Sequence, residues 1–209
     1  MMKKDKLLSK KIKKDDKRNF ILSISEKIMT GKGINGLNMD LLAKESNFAK
    51  GTLYLYFKNK EEILAQLTIK ARQLLLNQFR EATKDFSNEV EQLRAVLWAN
   101  FFFGQRNKLY YELLSFYEVN NTLKETKELK ESLNGLARFI TDIVESGKRK
   151  KLLKQTANAE ELVYILWATN VGMMQLISVR GNSLKSELGI GPKAIYESYI
   201  NSIINGLAK

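Results

Sequence analysis

The side chains along one short predicted helix are of the kinds that contact nucleic acid. Lys50 provides a cation, Gly51 leaves the backbone unobstructed, and Thr52 provides a hydroxyl group. Tyr54 and Tyr56 then add aromatic rings that end in hydroxyl groups. A helix with this chemistry at its start suits insertion into the major groove, where donors, acceptors and methyl groups distinguish the base pairs.

A simpler interpretation makes the same segment a solvated connector between two helices. Tyr54 and Tyr56 would then serve only as amphipathic packing residues. That interpretation gives no reason for two exposed tyrosines beside Lys50, Lys58 and Lys60. The nucleic-acid interpretation is therefore favoured.

The residues before this helix predict the rest of a helix-turn-helix. The side chain of Asn38 is expected to accept from the backbone N–H groups that open a helix over residues 39–46. Asn47 suits the turn because its short polar side chain tolerates a positive φ. Leu53 and Phe57 are spaced to pack inward from the second helix, which leaves its polar set outside.

Residues 38–64 resemble the DNA-binding signature of the TetR family of bacterial transcriptional regulators, and the resemblance centres on the run KGTLYLYFKNKEEIL at residues 50–64. The resemblance implies that Lys50 and Thr52 contact base edges or neighbouring phosphates. It implies that Tyr54 and Lys60 each bind a phosphate, Lys60 from the start of the next helix, and that Tyr56 lies over bases or backbone. The predicted DNA-binding set also includes Asn38 and Gly51.

Two positions depart from the family pattern. Asn47 stands where the family usually has glycine, and this exchange preserves the turn. Ala49 stands where the family often has serine or threonine at the start of the recognition helix. Ala49 therefore lacks both a hydroxyl contact to phosphate and a side-chain cap.

Positive charge is concentrated at the start of the chain. The net charge is +12, and residues 1–60 contain 15 basic and 6 acidic side chains, which leaves +9 there and +3 over the remaining 149 residues. This asymmetry indicates a polyanionic partner, and a helix-turn-helix favours double-stranded DNA. A membrane surface would also attract such charge, but a helix that anchors to a membrane needs an apolar face. Residues 1–18 have nine basic side chains and only three aliphatic ones, Leu7, Leu8 and Ile12.

The basic segment over residues 1–17 is interpreted as a flexible or frayed arm because it is too rich in lysine to pack. It serves either solubility or contacts to phosphates and the minor groove, and the sequence does not separate these roles. A second basic run at residues 148–151, with Lys154, is interpreted as solvated.

Composition predicts an all-α protein and excludes several kinds of chemistry. The chain has one proline, no cysteine and no histidine. Disulfides, thiolate nucleophiles, histidine general bases and most transition-metal sites are thereby excluded. The glycine-rich run at residues 31–36 lacks the ending of a phosphate-binding loop and is interpreted as a turn. We therefore expect no enzyme, no catalytic or metal-binding residue and no cofactor.

The absence of a signal peptide, and of any apolar run expected to cross a bilayer, predicts a cytoplasmic protein without a membrane partner. The expected domains are the arm, a helix-turn-helix head over residues 18–62, and a ligand-binding and dimerisation domain over residues 63–209. Predicted helices span residues 16–30, 39–46, 49–56, 88–104, 107–118, 122–147, 158–180 and 193–207, with a long fourth helix from about residue 59.

The last two predicted helices are expected to form a homodimer interface. Their apolar residues extend over more than one face, which favours a four-helix bundle made by two chains. The alternative is that each chain satisfies these faces internally. The predicted interface residues are Leu162, Leu166, Thr169, Met173, Ile195, Tyr199 and Ile203. Leu176 continues the apolar stripe of the first of these helices, and Ile165, Gly172 and Val179 broaden that stripe.

Aromatic residues concentrate between Trp98 and Tyr117, where they either form ordinary core or line a cavity for a small organic ligand. TetR-like proteins usually have such a cavity in this domain, so the resemblance favours the second interpretation. The effector is expected to be apolar or amphipathic. The predicted lining comprises Trp98, Phe102, Tyr110, Tyr117, Trp167, Met173 and Met174.

Together these features predict a homodimeric, ligand-responsive transcriptional regulator that acts as a repressor on a palindromic operator. Effector binding would move the fourth helix and change the separation of the two DNA-reading helices. The alternative from another class is a noncatalytic helical carrier or sensor of hydrophobic molecules that binds DNA or protein only nonspecifically. An activator, or a regulator without an effector, is a third possibility.

Overall fold

The computed structural model describes residues 2–119, 126–155 and 158–209. Within these ranges all regular structure is helical, which agrees with the predicted all-α class, and one isolated bridge pairs Leu153 with Ala208. The helices are α1 (Met2–Lys32), α2 (Met39–Ser46), α3 (Lys50–Tyr54), α4 (Lys60–Thr83), α5 (Glu89–Arg106), α6 (Lys108–Val119), α7 (Lys127–Arg149), α8 (Ala159–Leu188) and α9 (Pro192–Leu207), with a 3-10 turn at Ile34–Gly36.

The chain divides into two compact units. The first unit contains the residues up to Lys70 and a segment that begins at Glu112. The second unit contains Ala71–Tyr111 and the described residues from Thr126 onward. Helix α4 therefore contributes its first half to one unit and its second half to the other.

The first unit is organised around an apolar centre shared by α1, α2 and α3. Ile21 of α1, Leu42 of α2 and Leu53 of α3 are each fully buried. Phe48, in the turn between α2 and α3, packs edge-on against Phe20 at a ring-centroid distance of 5.7 Å. These contacts fix the angle between the two short helices, which are too short to be stable alone.

Helix α1 begins at Met2, whereas the sequence pattern predicted a start near residue 16. Lysine and leucine both favour helix, and neither glycine nor proline interrupts the chain before Gly31, so nothing local stops the helix there. The flexibility of residues 1–17 stays a prediction.

The second unit is a helical bundle in which α5 packs against α7, α8 and α9. Its interior includes Leu93, Phe103, Val144 and Ile200, all at most 1% exposed. Gly147 allows α7 to lie close to Leu153 in the segment that follows it, because an added Cβ would lie 2.7 Å from Leu153 Cδ1. A larger residue at this position would displace the side chain of Leu153 and crowd Glu89.

Helix α8 is longer than predicted. The sequence pattern predicted that it ends at residue 180, but Gly181 is buried inside the helix, where an added Cβ would lie 3.1 Å from Pro192 Cγ. The helix ends instead at Gly189, whose φ of 68° is the left-handed conformation that glycine adopts readily. Gly181 thus serves packing between α8 and α9.

The basic run at residues 148–151 ends α7 and continues beyond it, and its interpretation as solvated cations holds for Arg149, Lys150 and Lys151, which are exposed, whereas Lys154 is half-buried. Lys150 forms an ion pair of 2.6 Å with the buried carboxylate of Glu89. Lys154 donates to the carbonyl of Gly206 at 3.1 Å and to that of Asn205 at 3.4 Å. Lys154 therefore caps the carboxyl end of α9, where the helix dipole favours a cation.

Helix α8 is also the one helix among the described residues that is long and apolar enough to cross a membrane by length and composition, with a mean hydropathy of 1.5. The expectation that no segment had this property was wrong. A third of its most apolar stretch is buried within the protein.

Candidate nucleic-acid interface

The ends of α2 and the start of α3 have the local geometry that their sequence predicted. The side chain of Asn38 accepts from the backbone N–H of Leu41 at 2.8 Å and caps α2. Asn47 ends α2 with φ 56° and ψ 28°, in the left-handed region. Ala49 makes no side-chain cap to α3, also as predicted. The two short helices are therefore joined by a sharply defined turn.

Helix α3 presents a polar surface on an apolar base. Leu53 is fully buried and Phe57 is 1% exposed, so both point inward as predicted. Tyr54 is 50% exposed. Of the remaining predicted DNA-binding residues, Asn38, Lys50 and Gly51 are exposed, whereas Thr52, Tyr56 and Lys60 are half-buried. The structure thus places this predicted set on or near one exposed segment.

Arg18 of α1 holds the segment that follows α3. Its guanidinium lies 4.5 Å from the centroid of the Phe57 ring. It donates to the backbone carbonyl of Tyr56 at 3.2 Å and lies 3.8 Å from the carboxylate of Glu62. That carboxylate accepts from the backbone N–H of Lys58 at 2.8 Å. One arginine therefore positions the backbone of two residues that could face DNA, Tyr56 and Lys58.

The segment that follows α3 also caps the start of α4. The side chain of Asn59 accepts from the backbone N–H of Glu62 at 2.9 Å. Acidic residues at this end, Glu61 and Glu62, also complement the positive end of the helix dipole. This cap fixes the position of Lys60, the first residue of α4.

Lys50 forms an ion pair with Asp40 of α2, and both side chains are exposed. A phosphate that approached Lys50 would replace this carboxylate as its partner. Exposed pairs of this kind contribute little to stability, so the exchange is energetically accessible.

Sequence reasoning missed two residues of this surface. Leu55 is 77% exposed, the most exposed large apolar side chain among the described residues. Its position two residues after the inward Leu53 was a signal that it points outward. Arg18 was missed because its contacts with Phe57 and Tyr56 are formed across nearly forty residues, beyond any local pattern.

The predicted ligand-binding residues are distributed over both units. Tyr117 belongs to the first unit, and its hydroxyl donates to the carbonyl of Glu61 at 3.4 Å. Trp98 in the second unit stacks on Phe102 at a ring-centroid distance of 5.6 Å, and its ring centroid lies 5.8 Å from that of Tyr196. Met174 is buried and Met173 is half-buried. Tyr110 is half-buried in the second unit.

A small cavity lies between α4, α5, α7 and α8 in the second unit. It measures about 20 Å³, and of the predicted ligand-binding residues Trp167 contributes to its lining. Polar lining residues are Trp167, Asn100 and Asn170, and apolar ones include Phe79 and Ile140. The hydroxyl of Tyr196 shares its single proton between two acceptors, the side-chain oxygen of Asn170 and the carbonyl of Leu97, the latter at 2.9 Å.

Helix α8 has two opposed apolar stripes. The inward stripe is buried within the second unit and contains Leu162 and Leu166, both in the predicted dimer set. The outward stripe repeats at spacings of four and three residues and comprises Ile165, Thr169, Gly172, Leu176 and Val179, all exposed. Thr169 lies 3.0 Å from the hydroxyl of Tyr199, and the other predicted interface residues, Met173, Ile195, Tyr199 and Ile203, are half-buried.

Within the described residues, no cluster of three or more acidic side chains could hold a metal ion. The polar surface around α3 carries Lys50, and Lys58 and Lys60 follow the helix. It can bind anions through its lysines and present hydroxyl, aromatic and aliphatic groups to base edges.

Comparisons with known proteins show that the chain is similar to bacterial transcriptional regulators. Residues 21–67 match the family model described as bacterial regulatory proteins of the tetR family. An uncharacterized HTH-type transcriptional regulator from Haemophilus influenzae is 35% identical over 115 residues, which cover 54% of this chain and 60% of the relative. This chain thus matches less than two thirds of that relative's length.

Two further similarities come from Bacillus subtilis. The fatty acid metabolism regulator protein is 28% identical over 135 residues, which cover 63% of this chain and 70% of the relative. The solved structure of the transcriptional regulator FadR in complex with stearoyl-CoA has a TM-score of 0.72 and 20% identity. That comparison covers 90% of this chain and 97% of the other, and it shows a common fold.

Proposed function

We propose that this chain, which belongs to the TetR family of bacterial transcriptional regulators, is a cytoplasmic homodimeric repressor that binds a palindromic operator and is released by a small apolar effector. The observation that carries the proposal is the exposed polar surface of α3, held on the buried side chains of Leu53 and Phe57. The family consists of regulators and not of enzymes.

DNA binding follows from the chemistry of that surface. Lys50, Lys58 and Lys60 supply positive charge, and Tyr54 supplies a hydroxyl group within the same segment. Two subunits with several phosphate contacts each should give a slope of about −5 to −9 in a plot of log affinity against log salt concentration. Tyr54→Phe and Lys60→Ala should weaken binding to all duplexes alike, because phosphate contacts carry no sequence information. Affinity that does not change with salt would contradict the proposal.

Homodimerisation is supported by the outward stripe of α8. Ile165, Leu176 and Val179 are 49%, 42% and 71% exposed and fall on one face at the spacing of a coiled-coil seam. A second copy would cover this face, and α9 lies beside α8 to complete a four-helix arrangement. A partner subunit on the outward stripe would explain why α8 is apolar on that face, so no membrane is needed to explain it. The inward stripe faces the protein interior, where Asn170 is hydrogen-bonded.

Sedimentation analysis tests the dimer with a matched pair of variants. Leu176→Glu places a charge on the outward stripe and should yield monomers. Tyr164→Glu makes the same change at a side chain that is 70% exposed but lies off the stripe, and it should leave the dimer intact. Monomeric wild-type protein at micromolar concentration would contradict this part of the proposal.

An apolar or amphipathic effector is supported by the aromatic interior of the second unit and by the related regulator that binds stearoyl-CoA. Effector binding in this unit would act through α4, which continues into the DNA-reading unit. Operator release should be measured with a panel of amphipathic compounds that begins with stearoyl-CoA. Trp98→Ala or Trp167→Ala should alter release but leave operator affinity nearly unchanged. Ligand binding without sequence-specific DNA binding would instead support a carrier or sensor.

A further inference from the structure

The basic arm over residues 1–17 joins the first unit beside the candidate DNA-binding surface. Arg18, which follows the arm directly, donates to the backbone carbonyl of Tyr56 at 3.2 Å. Its guanidinium also lies 3.8 Å from the carboxylate of Glu62. Lys58, one of the cations of that surface, stands between these two contacts along the chain. The contacts of Arg18 therefore place the carboxyl end of the arm at this surface.

The arm belongs to α1, so the spacing of its lysines assigns them to faces of a helix. Helix α1 begins at Met2 and continues through Arg18 without a break. Lys14, Lys11 and Lys4 precede Arg18 by four, seven and fourteen positions. These spacings return to the same face of an α-helix, which has about 3.6 residues per turn. The face that meets the candidate surface at Arg18 thus continues toward the amino terminus as a row of lysine positions.

The acidic residues of the arm stand at other positions around the helix. Asp5 and Asp16 are turned by about 140° and 160° from Arg18, and Asp15 by about 60°. Lys14 is exposed, so it is not committed to the interior of the unit. Positive and negative charges are therefore largely separated around the helix, which favours a polyanion on the side of the lysine row.

The composition of the arm distinguishes phosphates from base edges as its target. The arm has eight lysines and no arginine. Arginine is the side chain that suits a narrow minor groove and the bidentate recognition of base edges. A lysine ammonium is a compact, strongly hydrated point charge. Lysines therefore favour the phosphate backbone, where contacts position the protein without reading the sequence.

We propose that the lysine row, Lys4, Lys11 and Lys14, binds the phosphate backbone beside each half-site and raises the affinity for any duplex DNA. The arm precedes residues 21–67, which match the family model, so this contact adds to those of the helix-turn-helix. The inference rests on the proposed function, because the row meets phosphates only if the surface around α3 faces DNA. A helix from Met2 to Arg18 is about 24 Å long, which corresponds to about seven base pairs of duplex.

Binding of labelled duplexes to the full-length protein at several salt concentrations tests the inference. Lys11→Gln/Lys14→Gln removes two charges per subunit and retains a high helix propensity. The variant should bind a random-sequence duplex and the duplex enriched by site selection about tenfold more weakly than wild type does. The slope of log affinity against log salt concentration should become less negative by about two to four, since each lost phosphate contact contributes about 0.9.

The matched control is Lys6→Gln/Lys13→Gln, the same exchange within the same arm. These positions are turned by about 120° and 140° from that of Arg18. The control should lose less than about twofold in affinity, because salt screens charges that do not contact the duplex. Equal losses in both variants would overturn the assignment to one face of the helix. Wild-type affinity in Lys11→Gln/Lys14→Gln would overturn the inference altogether.

Duplexes with A·T-rich or G·C-rich flanks separate phosphate contacts from minor-groove contacts. The two flanks have the same phosphates but differ in minor-groove width and potential. Wild type should bind both about equally. A preference for A·T-rich flanks that is lost in Lys11→Gln/Lys14→Gln would contradict phosphate binding.

Site selection from a random library distinguishes failure of this inference from failure of the proposed function. Lys11→Gln/Lys14→Gln should enrich the wild-type consensus, since phosphate contacts carry no sequence information. An altered consensus would overturn the inference. If wild type enriches an inverted repeat and the variant binds it as tightly, the inference fails and the proposed function stands. If wild type enriches no sequence, the proposed function itself fails.

Discussion

The guanidinium of Arg18 lies over the ring of Phe57, 4.5 Å from its centroid, and links α1 to the segment that follows α3. The same group reaches the carbonyl of Tyr56. A residue of α1 thus restrains the orientation of α3 and the turn that follows it, although it does not belong to the helix-turn-helix motif itself.

Arg18→Ala should reduce operator affinity about tenfold, since it removes a cation–π contact and a charged hydrogen bond to the backbone. Fluorescence anisotropy with labelled operator measures the loss, and circular dichroism should show unchanged helix content. Arg80→Ala, at an exposed arginine of α4, is the matched control. Wild-type affinity in Arg18→Ala would show that the segment does not depend on this restraint.

The ion pair between Asp40 and Lys50 should weaken DNA binding, because the carboxylate competes with phosphate for the lysine. Asp40→Asn is expected to raise affinity for operator and random duplex alike, by up to about fivefold. Glu45→Gln removes an equal charge from an exposed site of the same helix and controls for long-range electrostatics. Equal gains in both variants would argue against a specific role of the pair.

The exposed side chain of Leu55 is expected to contact the methyl group of a thymine, the apolar feature of the major groove. Replacing that thymine by deoxyuridine should weaken wild-type binding about fourfold, the contribution of one buried methyl group. The same replacement should have no effect on Leu55→Ala. If no thymine in the operator shows this coupling, Leu55 does not read the bases.

The buried carboxylate of Glu89 makes the stability of the second unit depend on pH. Hydrogen bonds from Lys150 and Ser146 hold the pKa of Glu89 below its ordinary value of 4.5. Its stabilising effect is therefore present above that value and is lost as pH falls through the lower pKa of the folded state. Urea denaturation should show that the free energy of unfolding falls less between pH 7 and pH 3 for Glu89→Gln than for wild type. Glu145→Gln, at an exposed site of α7, should behave as wild type.

Local signals predicted the parts of the fold that depend on neighbouring residues. Asn38 and Asn47 could be identified because capping and left-handed turns are decided within a few residues. The inward positions of Leu53 and Phe57 followed from helical spacing. These elements make up most of the candidate DNA-binding surface.

Features that depend on packing could not be read from local sequence. The predicted end of α8 at residue 180 was wrong because the packing of Gly181 against Pro192 depends on two helices that only the fold brings together. The ion pair of Lys150 with Glu89 was not predicted because the two residues lie about sixty positions apart in the sequence. The pattern on α8 was apolar on both faces, so only burial distinguished the inward Leu166 from the outward Val179.

Selection of binding sites from a random duplex library tests the central claim most directly. Wild-type protein should enrich an inverted repeat whose half-sites lie about one helical turn apart, since two α3 helices related by a two-fold axis would read it. Lys50→Ala should enrich a repeat with altered or relaxed base preferences. Enrichment of no sequence, or the same consensus at the same stringency in Lys50→Ala, would contradict sequence-specific DNA binding through this surface.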